Sequence, residues 1–126
     1  MWYQQTYMKI IFPEEVLISC YKYKITQDPK IGGGSFSTRE NEITIGTRDL
    51  ETDPQYVWNV ICHEIFEAAI GVMRYRYEDP SVEGHYKFFM DHKEFENAVS
   101  VASVALSQFR LVDDDTPAEV VVEKAN

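Results

Sequence analysis

Apolar and polar residues alternate with a period of two in several short stretches of the first half of the chain. From residue 8 to residue 18 the chain is, apart from Lys9, apolar and largely branched except at Pro13-Glu14-Glu15, which reads as strand material broken by a turn. Tyr21, Tyr23 and Ile25 then alternate with Lys22 and Lys24, the pattern of a half-buried strand, so a hairpin or meander is expected. Asp28-Pro29 and Gly32-Gly33-Gly34-Ser35 are breakers and predict a flexible loop. A phosphate loop is ruled out there, because no Gly-Lys-Ser/Thr follows the glycines and no helix begins. Alternation resumes around Ile43 and Ile45 and predicts a short strand ending near Gly46.

The period then lengthens. Val57, Val60, Ile61, Ile65, Ala68, Ala69 and Val72 recur at helical spacing, and the helix is expected over residues 54–73, with Asp53 as its cap and Pro54 in its first position. Residues 74–90 show turn signals at Asp79-Pro80 and Glu83-Gly84 and an aromatic patch at Tyr86, Phe88 and Phe89, and read as an irregular connection. A second long helix follows Asp91, with Glu94 placed to complete a capping box. Its apolar stripe runs through Phe95, Ala98, Val99, Ala102, Ala105, Leu106 and Phe109, with an end near Arg110. The expected fold class is α+β: a small, mostly antiparallel sheet packed on the first helix and on the long second helix. Residues 1–112 read as one domain and residues 113–126 as an acidic tail, either disordered or carrying a short strand at 120–122.

Composition narrows the function classes. A net charge of −9 with scattered basic residues offers no stripe to neutralise phosphates, so nucleic acid is not expected as a partner. No apolar run is long enough to span a bilayer and the first residues lack a secretory pattern, so no membrane partner and a cytoplasmic address are expected. Cys20 and Cys62 do not make a disulfide framework. Cys62 adjoins His63, but neighbouring helix positions point about 100° apart, which favours a packing role for the thiol over a ligand role.

The candidate chemistry lies in the middle of the first helix, at His63-Glu64-Ile65-Phe66-Glu67. His63 and Glu67, four apart, share a face one turn apart, where one cation can bridge them. Glu64 takes the place that a general base has in the His-Glu-x-x-His pattern, and Glu67 stands where that pattern has its second histidine. Three ionisable groups among Val60, Ile61, Ile65 and Phe66 are costly to bury without a compensating partner, which a cation supplies. His92, in the first turn of the second helix, would complete two histidines and a carboxylate, a common set for catalytic zinc. His85, after Gly84, competes with it for that place. Glu96 shares a face with His92 and reads as a fourth ligand, as a carboxylate orienting a ligand histidine, or as an ordinary exposed helix acid. Against the whole cluster stands the plainer reading of His63 as a hydrogen-bonded core histidine, with Glu64 and Glu67 on a solvated helix face. A two-metal carboxylate site, built on His63 with Glu67 and His92 with Glu96, is a minor alternative.

The strand at residues 42–45, the run from Val60 to Ala68 around His63-Glu64-x-x-Glu67, and Asp91-His92 opening the next helix resemble the short zincin-like metallopeptidases, which include many small phage and prophage proteins. The resemblance covers roughly residues 31–106. It implies a minimal zincin-like fold and a single zinc ion held by His63, Glu67 and His92, with Glu64 as the base that activates water against a peptide or amide carbonyl. A peptide or protein substrate follows, in the cytoplasm of the host cell for a phage-encoded protein. Two histidines and a carboxylate also suit iron or another divalent ion. The alternative function is a catalytically inactive metal-binding module of the same fold, acting in protein binding. The strand at residues 42–45 is expected to border the cleft and, as an exposed edge, to take up an extended peptide by strand addition.

Overall fold

A computed structural model describes residues 8–78, 81 and 86–113. The candidate ligand His85 and the tail from residue 114 lie outside the described residues. The elements in chain order are β1 (Met8–Ile11), β2 (Glu15–Ile18), β3 (Tyr21–Asp28), β4 (Gly34–Ser37), β5 (Glu42–Gly46), α1 (Pro54–Val72), β6 (Arg76–Glu78), β7 (Tyr86–Phe88), α2 (His92–Leu106) and β8 (Arg110–Asp113). The fold is a small α+β arrangement, with mostly antiparallel strands on two helices.

Strands β2, β3, β5 and β4 form one sheet in the order β2-β3-β5-β4, and β3 and β5 run parallel while the outer pairs are antiparallel. Its period-two pattern sorts the faces: Val16, Ile18, Tyr23, Ile25, Ile43 and Ile45 are buried, whereas Leu17, Lys22 and Lys24 are exposed. On the polar side Lys24 lies in register with Glu15 on one neighbour and Glu42 on the other, an arrangement of opposite charges that stabilises this pairing over its alternatives. A one-residue slip of β2, β3 or β5 would turn that strand's buried pair outward, so the hydrophobic pattern sets the register.

Two expectations are corrected here. Residues 42–45 are not an edge, because β5 lies between β3 and β4; the outer strand on that side is β4. The glycine-rich stretch is not wholly a flexible loop, since Gly34 and Ser35 begin β4. The physical reason is close approach. A Cβ at Gly46 would collide with the carbonyl oxygens of Ile31 and Gly33, and Gly46 N donates to Gly33 O at 2.7 Å. Gly46 thus lets residues 31–33 pass over the end of β5 and deliver β4 to its far side.

Helix α1 begins as expected, with the Asp53 side chain accepting from Tyr56 N and Pro54 in the first turn. It buries Val57, Val60, Ile61, Ile65, Ala68 and Ala69, and full burial of one such valine or isoleucine is worth about 1.5–3 kcal/mol. Helix α2 carries the expected capping box between Asp91 and Glu94 but ends at Leu106, not near Arg110. Residues 110–113 instead form β8, which pairs antiparallel with β1. Of the predicted stripe, Ala98, Ala102, Ala105 and Phe109 are buried, while Phe95 and Val99 remain exposed. Helices α1 and α2 pack on each other, and both bury small side chains, Ala68 and Ala69 on α1 and Ala98, Ala102 and Ala105 on α2. Phe109 anchors the far end, edge-on to Phe12 and Trp58 at centroid distances of 5.9 and 6.3 Å. The connection between the helices is not irregular throughout: β6 and β7 pair antiparallel, with Arg76 opposite Phe88.

Candidate metal centre

The middle of α1 presents its three ionisable residues in two directions. His63 and Glu67 lie on the outer side, with the His63 side chain 65% exposed and that of Glu67 29%. Glu64 turns inward, is 5% exposed and lies against Gly34 of β4 and Val60. The plainer reading of the sequence placed the histidine in the core and both acids in solvent; His63 and Glu64 depart from it, whereas Glu67 does lie on the outer side.

The donor atoms converge even so. His63 Nε2 is 3.3 Å from Glu67 Oε2 and 3.8 Å from Glu64 Oε2, and one donor atom from each of the three residues lies within 4.8 Å of the others. Zinc bonds of roughly 2.0–2.2 Å at tetrahedral angles set donors about 3.4 Å apart, so the separation of His63 from Glu67 fits an ion of that kind. An imidazole and a carboxylate also form a donor set that zinc and iron both accept. His63 and Glu67 are thus spaced to hold a divalent ion, one protein ligand short of the three that catalytic zinc usually takes.

Burial raises the Glu64 carboxyl above the ordinary carboxylate range, the Glu67 charge adds to the rise, and His63 and Arg76 oppose it. A carboxyl held in this way keeps a proton more readily than a solvated one, the property required of a group that takes and returns a proton near neutral pH.

His92 is not brought to this cluster. Its side chain is 87% exposed, its Nε2 lies 2.8 Å from Glu96 Oε1 on the same helix, and among the described residues only His63, Glu64 and Glu67 group as potential ligands. Glu96 is likewise exposed, so the pair reads as a surface contact one helical turn long.

Arg76 is a site residue that sequence reasoning missed. Its Nη1 lies 3.4 Å from Glu67 Oε1, and its guanidinium carbon lies 4.9 Å from the ring centroid of Phe36 and 4.1 Å from that of Tyr86. The only signal was the alternation of arginine and tyrosine through residues 74–77, which falls in the stretch read as irregular.

Beside His63 and Glu67 runs a groove of about 820 Å³, walled by Cys62, Phe66 and Ile70 of α1 and by Phe88 and Met90 across from them. Apart from the His63–Glu67 margin and Asn59, its walls are apolar. The Phe66 ring rests against Phe95 of α2 at 6.2 Å, which joins the second helix to the groove. Burial pushes the Cys62 thiol up, away from the thiolate that a metal ligand must be. Comparisons with protein-family models, curated proteins and solved structures return no match.

Proposed function

We propose that the protein is a zinc-dependent, metallopeptidase-like hydrolase of the short zincin-like type, acting on a peptide or amide bond. The observation that carries this reading is the grouping of His63, Glu64 and Glu67 donor atoms within 4.8 Å, with His63 and Glu67 at the margin of an apolar groove and Glu64 behind them. His63 and Glu67 are the ligands, and the bound ion would polarise the substrate carbonyl and acidify a water. Glu64 takes the proton of the attacking water on its carboxylate and returns it to the leaving amine, a task suited to its raised proton affinity. The walls of Phe66, Ile70, Phe88 and Met90 offer an apolar surface to a side chain of the substrate. With β5 internal, the strand that can receive an extended peptide is β4, whose Gly34 adjoins Glu64. A cytoplasmic address is part of the proposal, supported by the free thiols of Cys20 and Cys62 and by the absence, among the described residues, of any helix long and apolar enough to cross a membrane.

The test is elemental analysis of protein purified without added metal, paired with hydrolysis of a denatured protein substrate. One zinc per chain is expected, lost in His63→Ala and kept in His92→Ala. Glu64→Gln should keep the ion and lose about 100-fold or more of the hydrolytic rate. Full metal retention in His63→Ala would falsify the proposal. Metal binding without any hydrolysis in the parent protein would favour the inactive binding module.

A further inference from the structure

The two oxygens of Glu67 have different partners: Oε2 faces His63 Nε2 at 3.3 Å, and Oε1 faces Arg76 Nη1 at 3.4 Å. We infer that Arg76 is a positioning residue that occupies Oε1, so that Glu67 offers a divalent cation one oxygen only, on the side of His63. The inference rests on the metal-binding reading of His63 and Glu67.

Arg76 is built for that task by its surroundings. Its side chain is 12% exposed, and Phe36 of β4 and Tyr86 of β7 both lie within cation–π distance of the guanidinium. Contact with two rings restricts the side chain, and a guanidinium donates only in its own plane, so its hydrogen-bonding edge is steered toward Glu67. A carboxylate with both oxygens free can chelate an ion through both, which raises the coordination number and fills a place that substrate needs. One oxygen already engaged by an arginine prevents this. Tyr86 lies on the strand that ends at Phe88, a wall of the groove, so the residue that orients the ligand is stacked on the element that contacts substrate.

Cobalt(II) reads coordination number directly, because four-coordinate cobalt absorbs visible light far more strongly than five- or six-coordinate cobalt. The parent protein loaded with cobalt is expected to bind one ion and show the strong band. Arg76→Met, which fills the space between the rings without charge, should bind cobalt with the band reduced several-fold, because Oε1 is released to the ion. Arg76→Lys, which keeps a donor beside Oε1, should recover most of the intensity. If Arg76→Met does not fold, Tyr86→Leu removes one of the two rings and should weaken the band in the same direction. A parent that binds no cobalt overturns the metal-binding reading and this inference with it. A parent that binds, with Arg76→Met or Tyr86→Leu giving an unchanged spectrum, overturns the positioning role alone and leaves Arg76 a structural clamp.

Discussion

Gly34 of β4 is pressed so closely on Glu64 of α1 that a Cβ at position 34 would come within 3.1 Å of Glu64 Cγ and within 2.7 Å of the Thr44 carbonyl oxygen. The backbone oxygen cannot swing aside, so Gly34→Ala must push β4 away from either β5 or α1. A loss of about 1–3 kcal/mol is expected, the usual range for overpacking, and a urea melt measures it. An unchanged midpoint would show that the contact is looser than described.

Glu64 makes the metal-free protein less stable at neutral pH than it would be with a neutral side chain in that place. Its carboxyl is raised chiefly by burial, so the folded state binds the proton more tightly than the unfolded chain, and stability falls as pH climbs from about 4.3 through the raised value. In the presence of a chelator, Glu64→Gln should therefore unfold at a higher temperature than the parent at pH 7. The gain should close toward pH 4, where the parent is protonated too. A variant less stable than the parent at pH 7 would contradict the assignment.

Zinc should raise the melting temperature of the parent protein. At a free concentration one hundred times the dissociation constant the stabilisation is about 2.7 kcal/mol, provided the unfolded chain does not bind the ion. His63→Ala should abolish the shift, and His92→Ala should not change it, because His92 stands with Glu96 and apart from the cluster. Thermal scans of the three proteins with and without zinc decide the matter.

Gln108 imitates a neighbouring strand. Its side-chain oxygen accepts from Leu17 N at 3.0 Å and its nitrogen donates to Leu17 O at 3.2 Å, which satisfies backbone groups on the outer side of β2. Gln108→Ala removes both contacts and should cost about 1–2 kcal/mol. The uncovered edge should also raise the light scattering of a concentrated solution on warming; no added scattering would mean that the edge was not protected by this side chain.

What could be read without coordinates was local. Asp53-Pro54 and the Asp91/Glu94 box mark helix starts through chemistry confined to one turn, and both helices begin where those residues place them. The alternations around Tyr23 and Ile43 likewise mark strands, because one buried face imposes a period of two. Position in the sheet is not a local property: nothing in residues 42–46 says that β4 will fold back outside them, and the three glycines, two before β4 and one opening it, carry no alternation. The end of α2 was overrun because Phe109 keeps the helical period while belonging to the turn into β8. At the site, the spacing of His63 and Glu67 predicted their meeting, since the helix alone sets it. The inward turn of Glu64 and the clamp of Arg76 depend on β4 and on the hairpin of β6 and β7, elements that show only weak patterns.

The two margins of the four-stranded sheet are treated unequally. On the β2 side Gln108 closes the ladder, while among the described residues β4 pairs with β5 alone. Growth of the sheet by a stray chain is thus directed to the β4 side, beside Gly34 and the Glu64 it covers. An extended inhibitor that occupies the site would then act as a stopper as well, shielding the protein against clumping at concentrations set by the inhibitor's own affinity.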